Sequence, residues 1–214
     1  MTKEFKNFTK YVRRQDLARF MVQYEIFKRQ LKIKGSVVEC GVHHGAGIMA
    51  WAKISSILEP YNYRKKIIGF DTFEGFPSVA DIDNSKTGMF AEDYNIFEEL
   101  SGCIKEYNEN RFLNNIDKVE LIKGDANKTI PTYIENNKHL LVSLLYLDFD
   151  IYEPTKTAIN CFLPRMSKGS IIAFDEINNE NWKGETMAML ESLNIKDYKI
   201  ESFSFEPNIS FIQL

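Results

Sequence analysis

Residues 143–155 read SLLYLDFDIYEPT. Five residues, Ser143 to Leu147, form an almost wholly apolar run that ends in Asp148, Phe149 and Asp150. Glu153-Pro154-Thr155 then has the look of a helix start, with proline in the first turn. An apolar run without alternation, closed by acids and followed by a helix, is the pattern of a parallel strand buried on both faces. Such a strand delivers its last side chains to a cleft at its C-terminal end. A second run of the same kind, SIIAFDEI at 170–177, ends in Asp175 and Glu176. Two buried strands, each tipped with two acids, predict an α/β fold with a metal or acid/base site.

Working outward, residues 36–40 (SVVEC) predict the first strand, ended by Glu39 and Cys40. GVHHGAG at 41–47 is a glycine-rich turn, and the apolar spacing of 48–58 predicts a helix after it. Glycines there let backbone approach a ligand, and the helix start offers free N–H groups. The spacing is not the G-x-G-x-x-G of dinucleotide sites. Glu39 followed by Gly41, Gly45 and Gly47 suits a ligand that carries an ammonium group. Residues 66–70 predict a second strand, ended by Asp71, where a carboxylate can take both hydroxyls of a ribose. Residues 117–122 predict a third, followed by Gly124-Asp125-Ala126. There Asp125 either meets an adenine edge or simply closes a turn through its own backbone.

Helices are expected over 15–31, 95–114, from 129, over 154–163 and over 182–193. The segment 72–93 is polar and rich in turn residues. A loop of that length is usually functional, and it reads as an acceptor-binding flap. Residues 198–202 and 208–213 read as a closing antiparallel hairpin. Residues 1–34 form an N-terminal helical cap and 35–214 the main domain, in one compact unit.

The bulk numbers exclude several classes. The 214 residues suffice for one core, and 44% hydrophobic with 27% charged residues is ordinary for a globular chain. A net charge of −3 argues against nucleic acid as partner. No apolar run is long enough for a bilayer, and the first nine residues do not read as a signal peptide. Cys40, Cys103 and Cys161 are too scattered for a disulfide framework or zinc cluster, which points to a reducing cytoplasm. Of the three histidines, His43 and His44 lie in the glycine-rich turn, within reach of whatever binds there.

Taken in order, VVECGVHHGAG, IIGFDTFEGFP, the Gly-Asp-Ala turn, LYLDFDIYEPT and IIAFDEI resemble the macrocin O-methyltransferase family. The resemblance runs from about Gly35 to Met189. It implies a Rossmann-like class I methyltransferase fold: a seven-stranded, mostly parallel sheet with one antiparallel strand and helices on both faces. It also implies S-adenosylmethionine as methyl donor and a sugar or other small polyhydroxylated molecule as acceptor. Glu39, Gly41 and Gly45 would line the methionine end of the donor. Asp71, with Thr72 beside it, would take the ribose, Asp125 and Ala126 the adenine, and Asp148 would border the same pocket. Asp148, Asp175 and Glu176 would hold Mg²⁺ or Mn²⁺, and Asp150 would be the base. Where the family has a second aspartate, this chain has Glu176, whose longer arm alters the reach to a metal. The N-terminal part is shorter than in the antibiotic enzymes.

The composition of the site suits that chemistry. Converging carboxylates raise one another's pKa unless a cation joins them. Oxygen-only ligands select Mg²⁺ or Mn²⁺ over Zn²⁺. Two other readings stand beside this one: a nucleotide-binding oxidoreductase or hydroxylase on a related sheet, and a non-catalytic domain that retains the donor pocket. A homo-oligomer is compatible with all three.

Overall fold

The computed structural model describes residues 7–214. The first six residues of the expected N-terminal cap lie outside the described residues. The cap's main element is α2, Arg14–Gln30, preceded by a single helical turn, α1, Phe8–Tyr11, which the sequence does not signal.

Seven strands follow: β1 Ser36–Cys40, β2 Ile67–Asp71, β3 Val119–Lys123, β4 Val142–Leu147, β5 Met166–Phe174, β6 Glu201–Phe203 and β7 Glu206–Gln213. They form one sheet in the order β3-β2-β1-β4-β5-β7-β6. All pairs are parallel except those made by β7, which runs antiparallel to both β5 and β6. The expected seven-stranded sheet with one reversed strand is thus the one observed. β1 and β4 are buried along their whole length. That is why their sequences run apolar without alternation: helices cover both faces.

The connecting helices are α3 Ala46–Leu58, α4 Ile96–Glu109, α5 Ala126–Asn136, α6 Tyr152–Phe162 and α7 Lys183–Ser192. Two hydrophobic layers result. On one face Val22, Ile26 and Phe27 of α2 pack with Ile48 and Trp51 of α3 and Leu100 of α4. On the other, Ile130 of α5, Ile159 and Phe162 of α6 and Met189 of α7 cover the sheet. Val22, Ile26 and Phe27 are fully buried. At roughly 1.5–3 kcal/mol for each such side chain, α2 is an integral layer, and packing rather than surface charge sets its position.

Two boundaries differ from the sequence expectation for identifiable reasons. α5 begins at Ala126 because the Asp125 carboxylate accepts the Asn127 N–H at 3.0 Å and caps it. Ser167-Lys168-Gly169, which read as a turn ahead of the apolar run that starts at Ser170, lies inside β5. The register against β4 shifts there, and Gly169 adopts φ 90°, so the would-be turn is an irregularity within a longer strand.

Strand order reverses between β1 and β4. Ligands of open α/β sheets sit at that switch point, beyond the carboxyl ends of the strands. Here the Asp148 N–H donates to the Cys40 carbonyl at 2.8 Å, closing the two strand ends together. Gly41, with φ 91°, lies against the Asp148 carbonyl so closely that a Cβ would collide with it.

Candidate functional site

A cavity of about 360 Å³ opens at this switch point. Its lining includes Glu39, Gly41, Asp71, Thr72, Asp125, Ala126, Asp148 and Asp150, and also Arg19. Seven strand- and loop-borne positions that the sequence singles out therefore converge with Asp148 on one space. Asp175 lies just beneath, 6% exposed. Gly45 stands at the edge of this arrangement. It caps α3 in the left-handed conformation (φ 85°), against Leu100, while Gly47 takes the place facing Glu39.

Glu39 is almost fully buried, and its Oε2 has no hydrogen-bond partner. A Cβ at position 47 would collide with its carboxylate. Burial pushes its carboxyl well above the usual range. An unpaired buried carboxylate facing a cavity calls for a donor from a ligand, and the ammonium of an amino acid fits that demand.

Asp71 ties the glycine-rich turn to β2. Its Oδ2 accepts the Val42 and His43 N–H groups at 2.7 and 2.8 Å, and its Oδ1 accepts Phe73 N–H at 2.6 Å. His43 and Phe73 both adopt positive φ, 48° and 56°, within this arrangement. The Thr72 hydroxyl donates to the Gly75 carbonyl at 2.6 Å and so shapes the next turn. Asp125 caps α5 and meets Lys128 at 3.1 Å.

The acid-tipped strands hold a group the sequence reading missed. Arg19, from α2, reaches across the strand ends. Its Nη2 lies 2.8 Å from Asp148 Oδ2 and 2.7 Å from Asp175 Oδ1, and Nη1 donates to Asp175 Oδ2 at 3.2 Å. The Tyr146 hydroxyl donates to Asp175 Oδ1 at 2.7 Å. Tyr146 packs edge-on against Trp51 at 5.5 Å between ring centres, and its hydroxyl belongs to the site. Arg19 lies three residues before Val22 and seven before Ile26, on the helix's buried stripe, but that spacing does not mark its partners.

Burial and neighbouring Asp175 push the Asp148 carboxyl up, while Arg19 pulls it down. Asp150 is half-buried and adopts φ 61°, in the left-handed region that few residues other than glycine occupy. Burial, then Asp175 and Glu176, raise its carboxyl to about 7. A further missed acid is Glu185 of α7, fully buried, whose Oε2 accepts the Glu176 N–H at 2.5 Å. Its Oε1 has no partner. Glu176 itself is turned toward the Asn179 side-chain amide.

For a divalent ion, the donor set is hard oxygen throughout. Asp148 and Asp175 already share one positively charged atom, Arg19 Nη2, so the two carboxylates converge on a single cation position. Among the described residues, the group whose ligand atoms already lie within 4.8 Å of one another is a different one, the exposed His43, His44 and Glu92.

The loop 72–93 is anchored rather than free-standing. The Asp83 carboxylate accepts N–H from Ala80 and from Tyr152 at the start of α6, both at 2.9 Å. Phe90 packs between Phe76, at 5.3 Å, and Trp182, at 6.0 Å, and borders the cavity beside His43. No described helix is long and apolar enough to cross a membrane.

Residues 12–197 match the profile of the family described as Macrocin-O-methyltransferase (TylF). The chain belongs to the macrocin O-methyltransferase family. As a member of that family it is an enzyme, an O-methyltransferase that uses S-adenosylmethionine. Among solved structures, the calicheamicin methyltransferase CalS11 is 30% identical with a TM-score of 0.94, covering 100% of this chain and 85% of the other. An apo structure of CalS11, described as a TDP-rhamnose 3'-O-methyltransferase of calicheamicin biosynthesis, is 26% identical with a TM-score of 0.87, covering 99% and 85%. The O-methyltransferase NovP shares the fold at 16% identity and a TM-score of 0.68, covering 92% and 79%. No protein with a curated functional description matches the chain. Family membership favours methyl transfer over both other sequence readings, the oxidoreductase and the non-catalytic domain. It also explains the absent dinucleotide glycine pattern, since the donor has no pyrophosphate to bind.

Proposed function

We propose that this macrocin-type enzyme methylates a hydroxyl of a sugar or sugar conjugate, with Asp150 as the general base. The observation that carries this reading is the state of Asp150. It lines the cavity and holds a left-handed backbone, and with no ion on Asp175 and Glu176 burial and those two acids push its carboxyl up to about 7. A base with a pKa near the working pH combines a useful fraction of carboxylate with real basicity. Backbone strain at such a position belongs with function more often than with folding. The sugar class is supported by the description of CalS11 as a sugar-nucleotide methyltransferase.

The step is a displacement in line. The acceptor hydroxyl oxygen attacks the methyl carbon of S-adenosylmethionine, and the S–C bond breaks. The sulfonium becomes the neutral sulfide of S-adenosylhomocysteine, and the hydroxyl proton passes to Asp150. Most of the rate comes from holding three atoms in line. Glu39 would receive the donor's ammonium, Asp71 its ribose, and Asp125 with Ala126 its adenine. Mg²⁺ or Mn²⁺ belongs to this reading, held by Asp148, Asp175 and Glu176; bound, it would supply the Lewis acidity that makes an acceptor hydroxyl easier to deprotonate. The loop 72–93 and α2 frame the acceptor side, and the cap of residues 1–34 and the domain from 35 onward act as one unit.

The test is calorimetry with S-adenosylhomocysteine, followed by label transfer from methyl-labelled S-adenosylmethionine to a panel of nucleotide sugars. Binding in the micromolar range, about −8 kcal/mol, with a labelled sugar product supports the reading. Binding with no transfer to any hydroxyl of the panel counts against the sugar acceptor, and no binding at millimolar ligand counts against the whole.

A further inference from the structure

The sequence reading assigns the acids at the ends of β4 and β5 to a metal. The structure shows a residue of the chain already standing between two of them. Arg19 Nη2 lies 2.8 Å from Asp148 and 2.7 Å from Asp175, closer to each than is needed for an ordinary ion pair. Its second nitrogen donates to Asp175 and its first also to the Tyr146 hydroxyl, 3.1 Å away. A guanidinium fixed by four contacts to three groups is a positioned side chain, not a wandering surface charge. Its helix is positioned by Val22, Ile26 and Phe27, so the geometry does not depend on the ion pairs alone.

We propose that Arg19 is a built-in counter-ion of the metal position, competing with the divalent ion for Asp148 and Asp175. This rests on the metal-assisted reading above. The physical reason is exclusion. An ion ligated by both carboxylates would sit about 2.0–2.1 Å from their oxygens, in the space that Nη2 now fills. Two cations cannot share it, so loading requires the guanidinium to withdraw. Without the ion, Arg19 keeps two carboxylates from facing each other uncompensated. With the ion, Arg19 is released toward the cavity that it already lines. There, beside the acceptor, its planar fork can take an anionic or hydroxyl-bearing group. The apparent metal affinity is then the intrinsic affinity multiplied by the fraction of molecules whose site is free of Arg19.

The experiment titrates Mn²⁺ by electron paramagnetic resonance into the wild type, Arg19→Ala and Arg19→Lys. The melting temperature and far-ultraviolet circular dichroism of each serve as the check on folding. Competition is expected to make Mn²⁺ binding about tenfold or more tighter in Arg19→Ala. Arg19→Lys, which keeps a charge but loses the fork, should fall between. Equal or weaker Mn²⁺ binding by a folded Arg19→Ala overturns the proposal. If Arg19→Ala does not fold, Arg19→Lys against wild type decides by the same criterion. A crystal of the wild type soaked in Mn²⁺ separates competition from a general charge effect. An anomalous peak between Asp148 and Asp175 with the guanidinium withdrawn supports it. A peak at His43, His44 and Glu92, with Arg19 still bridging, refutes it. Absence of Mn²⁺ binding in all three proteins refutes the metal reading itself and takes the competition with it, a result distinct from equal binding.

Discussion

Glu185 on α7 accepts the backbone N–H of Glu176 at 2.5 Å, from a position with no exposure to solvent. One bond thereby ties the end of β5, where Asp175 and Glu176 stand, to a helix on the opposite side of the sheet from α2. Burial, and then Asp175, Asp150 and Glu176 nearby, push its carboxyl well above the usual range once the stabilising Glu176 amide is allowed for. Glu185→Ala would leave that amide without a partner and open a void. A loss of about 1–3 kcal/mol is expected from urea denaturation. Glu185→Gln keeps an oxygen for the amide, and its stability at neutral pH should equal or exceed that of the wild type.

The same residue makes a pH prediction with a definite sign. An acid whose pKa is raised on folding binds more protons in the native state than in the unfolded one. Stability then falls as pH rises, beginning near the unfolded value of about 4.3 and continuing up through the raised native value. Glu39, Asp148 and Asp150 act in the same direction. The melting temperature is expected to decline from mildly acidic toward neutral pH, with a shallower slope in Glu185→Gln. Equal slopes for the two proteins would show that Glu185 does not titrate as its burial requires.

Donor binding should depend on the contact between Glu39 and Gly47. Gly47→Ala places a methyl group where the Glu39 carboxylate stands. Calorimetry is expected to show S-adenosylhomocysteine binding weakened about tenfold or more in Gly47→Ala and in Glu39→Gln, since each spoils a buried charge-assisted contact. Unchanged affinity in both would remove Glu39 from the donor site.

Asp83 holds the loop 72–93 against α6 through two backbone N–H groups. Asp83→Ala should cost about 1–2 kcal/mol. Limited proteolysis should then cut within 72–93 in the variant well before the wild type. The acceptor KM is expected to rise more than the donor KM, because Phe76 and Phe90 lie on that loop and line the cavity.

Much of this architecture was legible from local pattern. β4 and the second half of β5 show as apolar runs because helices cover both faces of the sheet, and an acid at or near a strand's C-terminal end marks the cleft. Glu39, Asp71, Asp148 and Asp150, which border the cavity, therefore stand out by position alone. Arg19 was not, because its partners lie 129 and 156 residues away, and a lone cation in a charged helix carries no local sign of being paired. Glu185 was hidden for the same reason, within the polar stretch KGET. Asp125 read equally well as a ligand contact and as a turn residue, and the structure shows it capping α5. The start of β5 was lost to Gly169, which ends a strand in most settings but here relaxes an irregular register.

The most direct measurement is the rate of methyl transfer to the nucleotide-sugar panel by wild type and Asp150→Asn across pH 5–9. In the wild type the rate should fall toward acid as the Asp150 carboxylate takes up its proton, at about 7 without an ion and lower with one, because an ion would offset Asp175 and Glu176, which raise it. Asp150→Asn should be slower by about a hundredfold or more, lack that limb, and bind S-adenosylhomocysteine as the wild type does. Turnover by Asp150→Asn at the wild-type rate, with the same acidic limb, would contradict the assignment of Asp150 as base.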